Sequence, residues 1–212
     1  IHMMPLGLLG WSSITPILAE GWLRAGHELH ISAHEEDLEA LQAWHNAREH
    51  VQTGTHAEIA EQVEVMILCA PWKQVQKLLR SVPHWYGKLL IDATNPLLEN
   101  QRLEVGHSLS GAEVVEEFAR GATVVKAFHG LGDENLQHPD FGDFHAETYV
   151  CGDNEQGKAV TMDLARELGL AAIDCGPLDR ARLLEPLALL RHELAHTDGY
   201  GADLVFRLMR RG

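Results

Sequence analysis

With 212 residues, 45 % of them apolar and 23 % charged, the chain has the make-up of a folded globular domain, and disordered or fibrous classes are excluded. Seventeen Lys and Arg against 31 Asp and Glu give a formal charge of −14. That balance argues against a nucleic-acid binder, which needs a basic footprint, and against docking on an anionic membrane. Cys69, Cys151 and Cys175 are too few and too scattered for a disulfide framework or an all-cysteine metal site. Cys69 and Cys151 end apolar runs, where cysteine packs as a small hydrophobe. No apolar run approaches the roughly 20 residues that span a bilayer, and no leader pattern opens the chain. A cytoplasmic protein is expected, with Ile1-His2-Met3 as a tag remnant and Met4 as the native start.

Apolar runs then alternate with amphipathic stretches, the pattern of a parallel sheet with helical crossovers. Strands are expected at 6–10, 28–31, 63–69 and 88–92, with helices at 14–25, 35–48 and 72–80 between them. Gly26 stands where a helix ends in glycine. A helix over 110–120 opens on a capping box, Ser110 with Glu113 three residues on. Strands follow at 123–127, 147–151 and 171–174, with a helix over 154–168. An apolar-rich helix over 179–197 and a short helix over 203–210 close the chain. Residues 4–176 are expected to form a doubly wound parallel sheet, with a helical segment over 177–212 packed on it.

In such a sheet the first strand-to-helix turn cradles a pyrophosphate through G-x-G-x-x-G, whose second glycine lets phosphate approach the backbone. Here the turn reads Gly10-Trp11-Ser12-Ser13-Ile14-Thr15, so only the first glycine stands. Taken alone, these residues support a plain strand-turn-helix as well as they support a nucleotide site.

The order of segments resembles the NADP-dependent reductase family that includes the deazaflavin-dependent NADP reductases. The nucleotide-binding domain of the six-transmembrane ferric reductases looks like a more distant relative. The resemblance runs from Leu6 to Arg210. It is carried by Ala25-Gly26-His27-Glu28, Cys69-Ala70-Pro71-Trp72, Ile91-Asp92-Ala93-Thr94-Asn95-Pro96 and Val124-Val125-Lys126-Ala127-Phe128. Val150-Cys151-Gly152-Asp153, Gly176-Pro177-Leu178, the run from Ala181 to Ala188 and Phe206-Arg207-Leu208 continue it. It implies a Rossmann-like fold and a dinucleotide, NADP or NAD, lying across the strand ends. Gly10, Ser12, Ser13, Ile14 and Thr15 would meet the pyrophosphate, and Ala70 and Pro71 would flank the adenosine side. Asn95 and Pro96 would border the nicotinamide, with Ala127 and Phe128 close to its ring. His129 would stand beside the nicotinamide as a proton donor or hydrogen-bonding partner. A flavin or deazaflavin would accept the hydride, and the C-terminal helix would pack across the two-fold axis of a homodimer.

Ser32-Ala33-His34 occupies the place where the family offers an arginine to the 2′-phosphate, so Ser32 and His34 are the candidates there. A histidine would bind that phosphate only when protonated. Most of the other histidines (His27, His30, His45, His50, His56, His84, His107, His138 and His145) are expected on the solvated surface. His192-Glu193-Leu194-Ala195-His196 matches H-E-x-x-H, but no third protein ligand follows, and the match is read as fortuitous. Three readings remain open at this point. The first is a hydride-transferring reductase, the second a non-catalytic homodimer with a decayed nucleotide site, and the third, with least support, a zinc hydrolase.

Overall fold

Strands buried on both faces need apolar residues at successive positions, and the two neighbours then serve different cores. The computed structural model, which describes residues 3–211 apart from 47, 99 and 101, follows this rule. The expected tag residues Ile1 and His2 lie outside the described residues. Strands β1 (Pro5–Leu9), β2 (Glu28–Ser32), β3 (Val51–Thr53), β4 (Val65–Leu68), β5 (Leu89–Asp92), β6 (Thr123–Lys126), β7 (Glu147–Gly152) and β8 (Ala171–Asp174) form one sheet. Their order is β3-β2-β1-β4-β5-β6-β7-β8. Leu8, Ile67, Ile91 and Val125 join one core with Leu18 and Trp22 of helix α1 (Ile14–Ala25) and Leu164 of α7 (Glu155–Glu167). Leu9, Leu68, Leu90 and Val124 join the opposite core with Leu78 of α4 (Trp72–Ser81) and Val115 of α5 (Gly111–Phe118). Helices therefore cover both faces.

The architecture is the expected α/β, Rossmann-like sheet, with several local corrections. β7 runs antiparallel to β6, and β8 pairs parallel with β7. The physical reason lies between β6 and β7, where the one helix is α6 (Asp133–Gln137), five residues long. A parallel return needs a covering crossover, and this segment provides none. β3 and the short helix α3 (His56–Gln62) were not foreseen, because their apolar runs are too brief to show a period. The stretch after His34 divides into a 3-10 turn at Glu35–Asp37 and α2 (Leu38–His45). The long C-terminal helix begins with a 3-10 turn at Leu178–Arg180 and continues as α8 (Ala181–His196), with Pro186 inside it.

No helix forms over 203–210; that segment is an irregular strap. Its backbone partners lie elsewhere in the fold. Asn135 donates to the Ala202 and Leu204 carbonyls at 3.1 and 3.2 Å, and the Leu208 amide donates to Glu147 at 2.7 Å. The capping box of α5 is present as read, with Ser110 accepting from the Glu113 amide at 3.2 Å. Cys69 and Cys151 are buried, and burial pushes both thiols up to about 12. Two histidines depart from the expected surface: His27 and His30 are buried, with His27 2.8 Å from Glu167 and His30 2.7 Å from Gln62. No described helix is long and apolar enough to cross a membrane.

Candidate functional site

The sheet order reverses at β1, which pairs with β2 on one side and β4 on the other. At such a reversal the connections leave in opposite directions and open a crevice outside the carboxyl ends of the strands. Gly10 starts the β1 turn at φ 94°, and a Cβ there would stand 2.4 Å from the Ala70 Cβ and 2.6 Å from its Cα. Only glycine fits. Ala70 is buried at the end of β4, and Pro71 precedes the first turn of α4. The Gly10 amide donates to the Ser32 carbonyl at 2.9 Å, which ties this turn to the end of β2.

The two lost glycines have different fates. The Ser12 amide donates to the Thr15 hydroxyl at 2.9 Å, and the Thr15 amide donates to the Ser12 carbonyl at 3.1 Å. Thr15 is fully buried and braces the turn from inside. Ser12, Ser13 and Ile14 stay at or near the surface of the turn. The first turn of α1 carries no acidic residue and no side-chain cap, so its free amides favour an anion. Asp133, which accepts from the Ser13 hydroxyl at 3.1 Å, places a carboxylate at the rim.

Beyond β2 a cavity of about 480 Å³ is lined by Ala33, His34, Thr53, Thr55, His56 and Lys77, among others. Lys77 on α4 donates to His34 Nε2 at 3.1 Å. His34 Nδ1 is buried without a partner. Ser32 is fully buried, with its hydroxyl 2.6 Å from His56 Nδ1. Burial, and then the neighbouring His34, lowers His56 to about 4, so His56 is neutral at physiological pH. The acidic Glu35 and Glu58 also line it.

On the other side of the Gly10 turn, a cavity of about 350 Å³ lies beyond β5 and β6. Ser13, Ala93, Asn95, Phe128, His129 and Arg191 contribute to its wall, and so do His192 and His196 of α8. The Asn95 amide donates to the His129 carbonyl at 2.8 Å, while Asn95 Oδ1 and His129 Nδ1 are buried without partners. Burial first, and then the neighbouring Lys126 charge, pushes His129 down to about 3; the Leu184 and Ala127 carbonyls pull the other way without prevailing. The ring is neutral at physiological pH. Phe128 holds φ 64°, which is unusual for a bulky residue, and its amide donates to the Thr148 hydroxyl at 2.9 Å. Its ring turns inward and meets Trp22 edge-on at 5.9 Å. Ala127 and Pro96 are buried in the strand-end loops and do not line the cavity wall.

Beneath this cavity sits a fully buried ion cluster. Lys126 Nζ is 2.8 Å from Asp92, 2.9 Å from Glu185 and 2.6 Å from the Thr94 carbonyl. Burial alone would lower the Lys126 ammonium, but Asp92 and Glu185 hold it above the ordinary lysine range. Glu185 also accepts from the Gly111 and Ala112 amides, at 2.8 and 3.1 Å, at the start of α5. The cluster thus fixes the ends of β5 and β6 against α5 and α8. Among the described residues, no group of three His, Cys, Asp or Glu side chains could hold a metal ion.

Residues 5–96, from β1 through the Asn95-Pro96 turn, match the family model of NADP oxidoreductases, coenzyme F420-dependent. The chain is related to that family. It is 29 % identical over 140 residues to the F420-dependent NADP reductase of Methanocaldococcus jannaschii, covering 63 % of this chain and 62 % of that one. It is also 37 % identical over 106 residues to the metalloreductase STEAP3 of Rattus norvegicus, covering 49 % of this chain and 21 % of that protein. The chain therefore spans less than two thirds of either relative. A candidate F420-dependent NADP reductase from Arthrobacter sp. FB24 superposes with a TM-score of 0.87 over 98 % of this chain and all of its own. At 24 % identity that likeness establishes the fold alone.

Sequence reading missed Lys77, His56 and Arg191. Lys77 belongs to a solvated helix face with no motif around it, and His56 belongs to the unforeseen α3. His192 and His196 belong to the H-E-x-x-H match, which is read as fortuitous. They face the same cavity as Asn95 and His129, and only the fold brings these residues together.

Proposed function

We propose that the chain is an NADP-dependent reductase that passes a hydride from the dinucleotide to a flavin- or deazaflavin-type acceptor. The observation that carries this reading is the pair of cavities flanking the Gly10 turn along the carboxyl edge of the sheet. The adenosine end with its 2′-phosphate fits the cavity of His34 and Lys77, with Ser32 buried behind it against His56. The pyrophosphate fits over Gly10, Ser12, Ser13 and Ile14, with Ala70 and Pro71 alongside and Thr15 bracing from below. The nicotinamide fits the cavity of Asn95 and His129, bordered by Phe128, with Pro96 and Ala127 in the strand-end loops. When bound, the reduced nicotinamide supplies the hydride, and the chain's own task is alignment and exclusion of water. Asn95 Oδ1 and His129 Nδ1 are unpaired polar atoms of the kind a carboxamide satisfies. His129 acts as a neutral hydrogen-bonding partner and not as a cationic acid.

Lys77 replaces the missing arginine as the permanent charge for the 2′-phosphate, so NADP preference does not depend on protonating a histidine. The parent should bind NADPH more tightly than NADH across pH 6–8, followed by nicotinamide fluorescence. A hydrogen bond to a charged group contributes about 1.5–3 kcal/mol, so Lys77→Met should cost NADPH at least about tenfold while sparing NADH. If the parent binds neither dinucleotide at millimolar concentration, the reductase reading falls and the non-catalytic homodimer takes its place. The outer face of α8 carries exposed Leu183 and Leu190, seven residues apart and on one stripe, and is the surface proposed for dimerisation.

A further inference from the structure

We infer that Arg191 receives the negative charge that an acceptor ring gains when a hydride arrives in the cavity beside Asn95 and His129. This rests on the reductase reading and adds to it the residue that completes the reaction. Arg191 is 5 % exposed and lines the cavity wall. Among the described residues its one hydrogen bond is long, from Nη1 to the Leu204 carbonyl at 3.3 Å, and no carboxylate pairs with it. A guanidinium has five N–H donors, and a buried one without a counter-charge is costly to keep. Burial lowers the Arg191 guanidinium below its ordinary range, and Glu134 and then Asp133 of α6 act against that without prevailing; Asp133 is engaged by Ser13. Gly132 makes room for the group: a Cβ there would stand 3.1 Å from both terminal nitrogens and 3.2 Å from Glu134 Oε2, the carboxylate that borders the same space without pairing with Arg191. The fold has built a place for a cation and left its donors for something that enters the cavity.

The chemistry of the step supplies the anion. The C4–H bond of the reduced nicotinamide breaks, its electron pair leaves with the hydrogen, and a new bond to hydrogen forms on the acceptor. The nicotinamide is oxidised and the acceptor reduced. A conjugated ring of flavin type that takes a hydride without a proton becomes an anion, with the charge shared over its ring carbonyl oxygen and the adjacent nitrogen. His129 cannot supply that proton, since burial and Lys126 keep it neutral. Fixed donors in a water-poor site stabilise such developing charge strongly. Arg191 is the cation placed to do so, and the proton follows from solvent afterwards.

The test uses riboflavin, oxidised or reduced with dithionite, titrated anaerobically into the parent, Arg191→Met and Arg191→Lys. The parent should bind reduced riboflavin about tenfold or more tightly than oxidised, as a charge-assisted hydrogen bond implies. Arg191→Met should bring that ratio close to one, and Arg191→Lys should restore part of it. NADPH affinity, measured on the same proteins, reports whether the cavity that Arg191 shares with the nicotinamide survives each substitution. Equal affinity of the parent for the two forms, no binding of either form at millimolar concentration, or a ratio that survives in Arg191→Met would overturn the assignment. If Arg191→Met does not fold, Arg191→Gln carries the same comparison. Failure of NADPH to bind the parent would instead remove the reductase reading, and the riboflavin ratio would still decide Arg191.

Discussion

His129 shows how strongly position in the fold governs a single side chain. The family resemblance singles it out in sequence, where a histidine can serve as acid, base or hydrogen-bonding partner. Its surroundings then select among these roles: it is buried, Lys126 lies behind it, and its proton affinity drops from 6.5 to about 3. The sign of the linkage follows. The unfolded chain binds a proton here below about pH 6.5 that the folded chain refuses, so this contribution is intact above pH 6.5 and is lost as pH falls toward 3. At pH 5 the loss amounts to about 2 kcal/mol, from 1.36 kcal/mol per unit. His129→Gln removes it while keeping a polar group of similar size. Urea midpoints measured at pH 7.5 and pH 5 should therefore fall further for the parent than for the variant. Parallel declines would show that His129 is protonated in the folded state.

At the scale of elements, α8 links the fold to the site. It carries Glu185 into the Lys126 cluster, and less than two turns further on it carries Arg191 into the cavity. Its sequence stripe of Leu183, Leu184, Leu187 and Leu190 reads as core, yet Leu184 is buried while Leu183 and Leu190 are exposed. Removing one member of a buried ion cluster strands the others without counter-charge, at a cost of about 3–5 kcal/mol. Lys126→Met should lower stability by that amount in denaturant unfolding, because Asp92 and Glu185 remain fully buried. A change under 1 kcal/mol would mean that the carboxylates take up protons and the ammonium is dispensable. The capping box at Ser110 and the glycine end of α1 are local devices, and both are legible without the fold. The strap over 203–210 is not: its Leu204 carbonyl accepts from Asn135 and Arg191, and its Leu208 amide donates to Glu147, contacts that only the fold creates.

At the scale of the whole molecule, α8 and the strap that follows it expose a run of apolar residues. Leu183, Leu190, Tyr200, Leu208 and Met209 are all at least half exposed. An unpartnered stripe of this kind on a long helix suits a second copy of the same chain. Sedimentation of the parent should give a dimer, and Leu183→Glu with Leu190→Glu should give a folded monomer. A parent that sediments as a monomer at tens of micromolar would refute the proposed dimer.

The sequence by itself determined the sheet and its crevice. Unbroken apolar runs can be satisfied only by burial on both faces, and the amphipathic stretches between them cover those faces. It also marked the strand-end turns at Gly10, Ala70 and Asn95, because glycine and proline act locally through their own backbones. Only the tertiary structure decided the direction of β7, where a covering crossover is absent, and the inward brace made by Thr15. It alone placed Lys77 beside His34 and brought Arg191 and His192 of α8 to Asn95 and His129. These residues meet across the fold from distant parts of the chain, and no local pattern records a contact that burial and packing create.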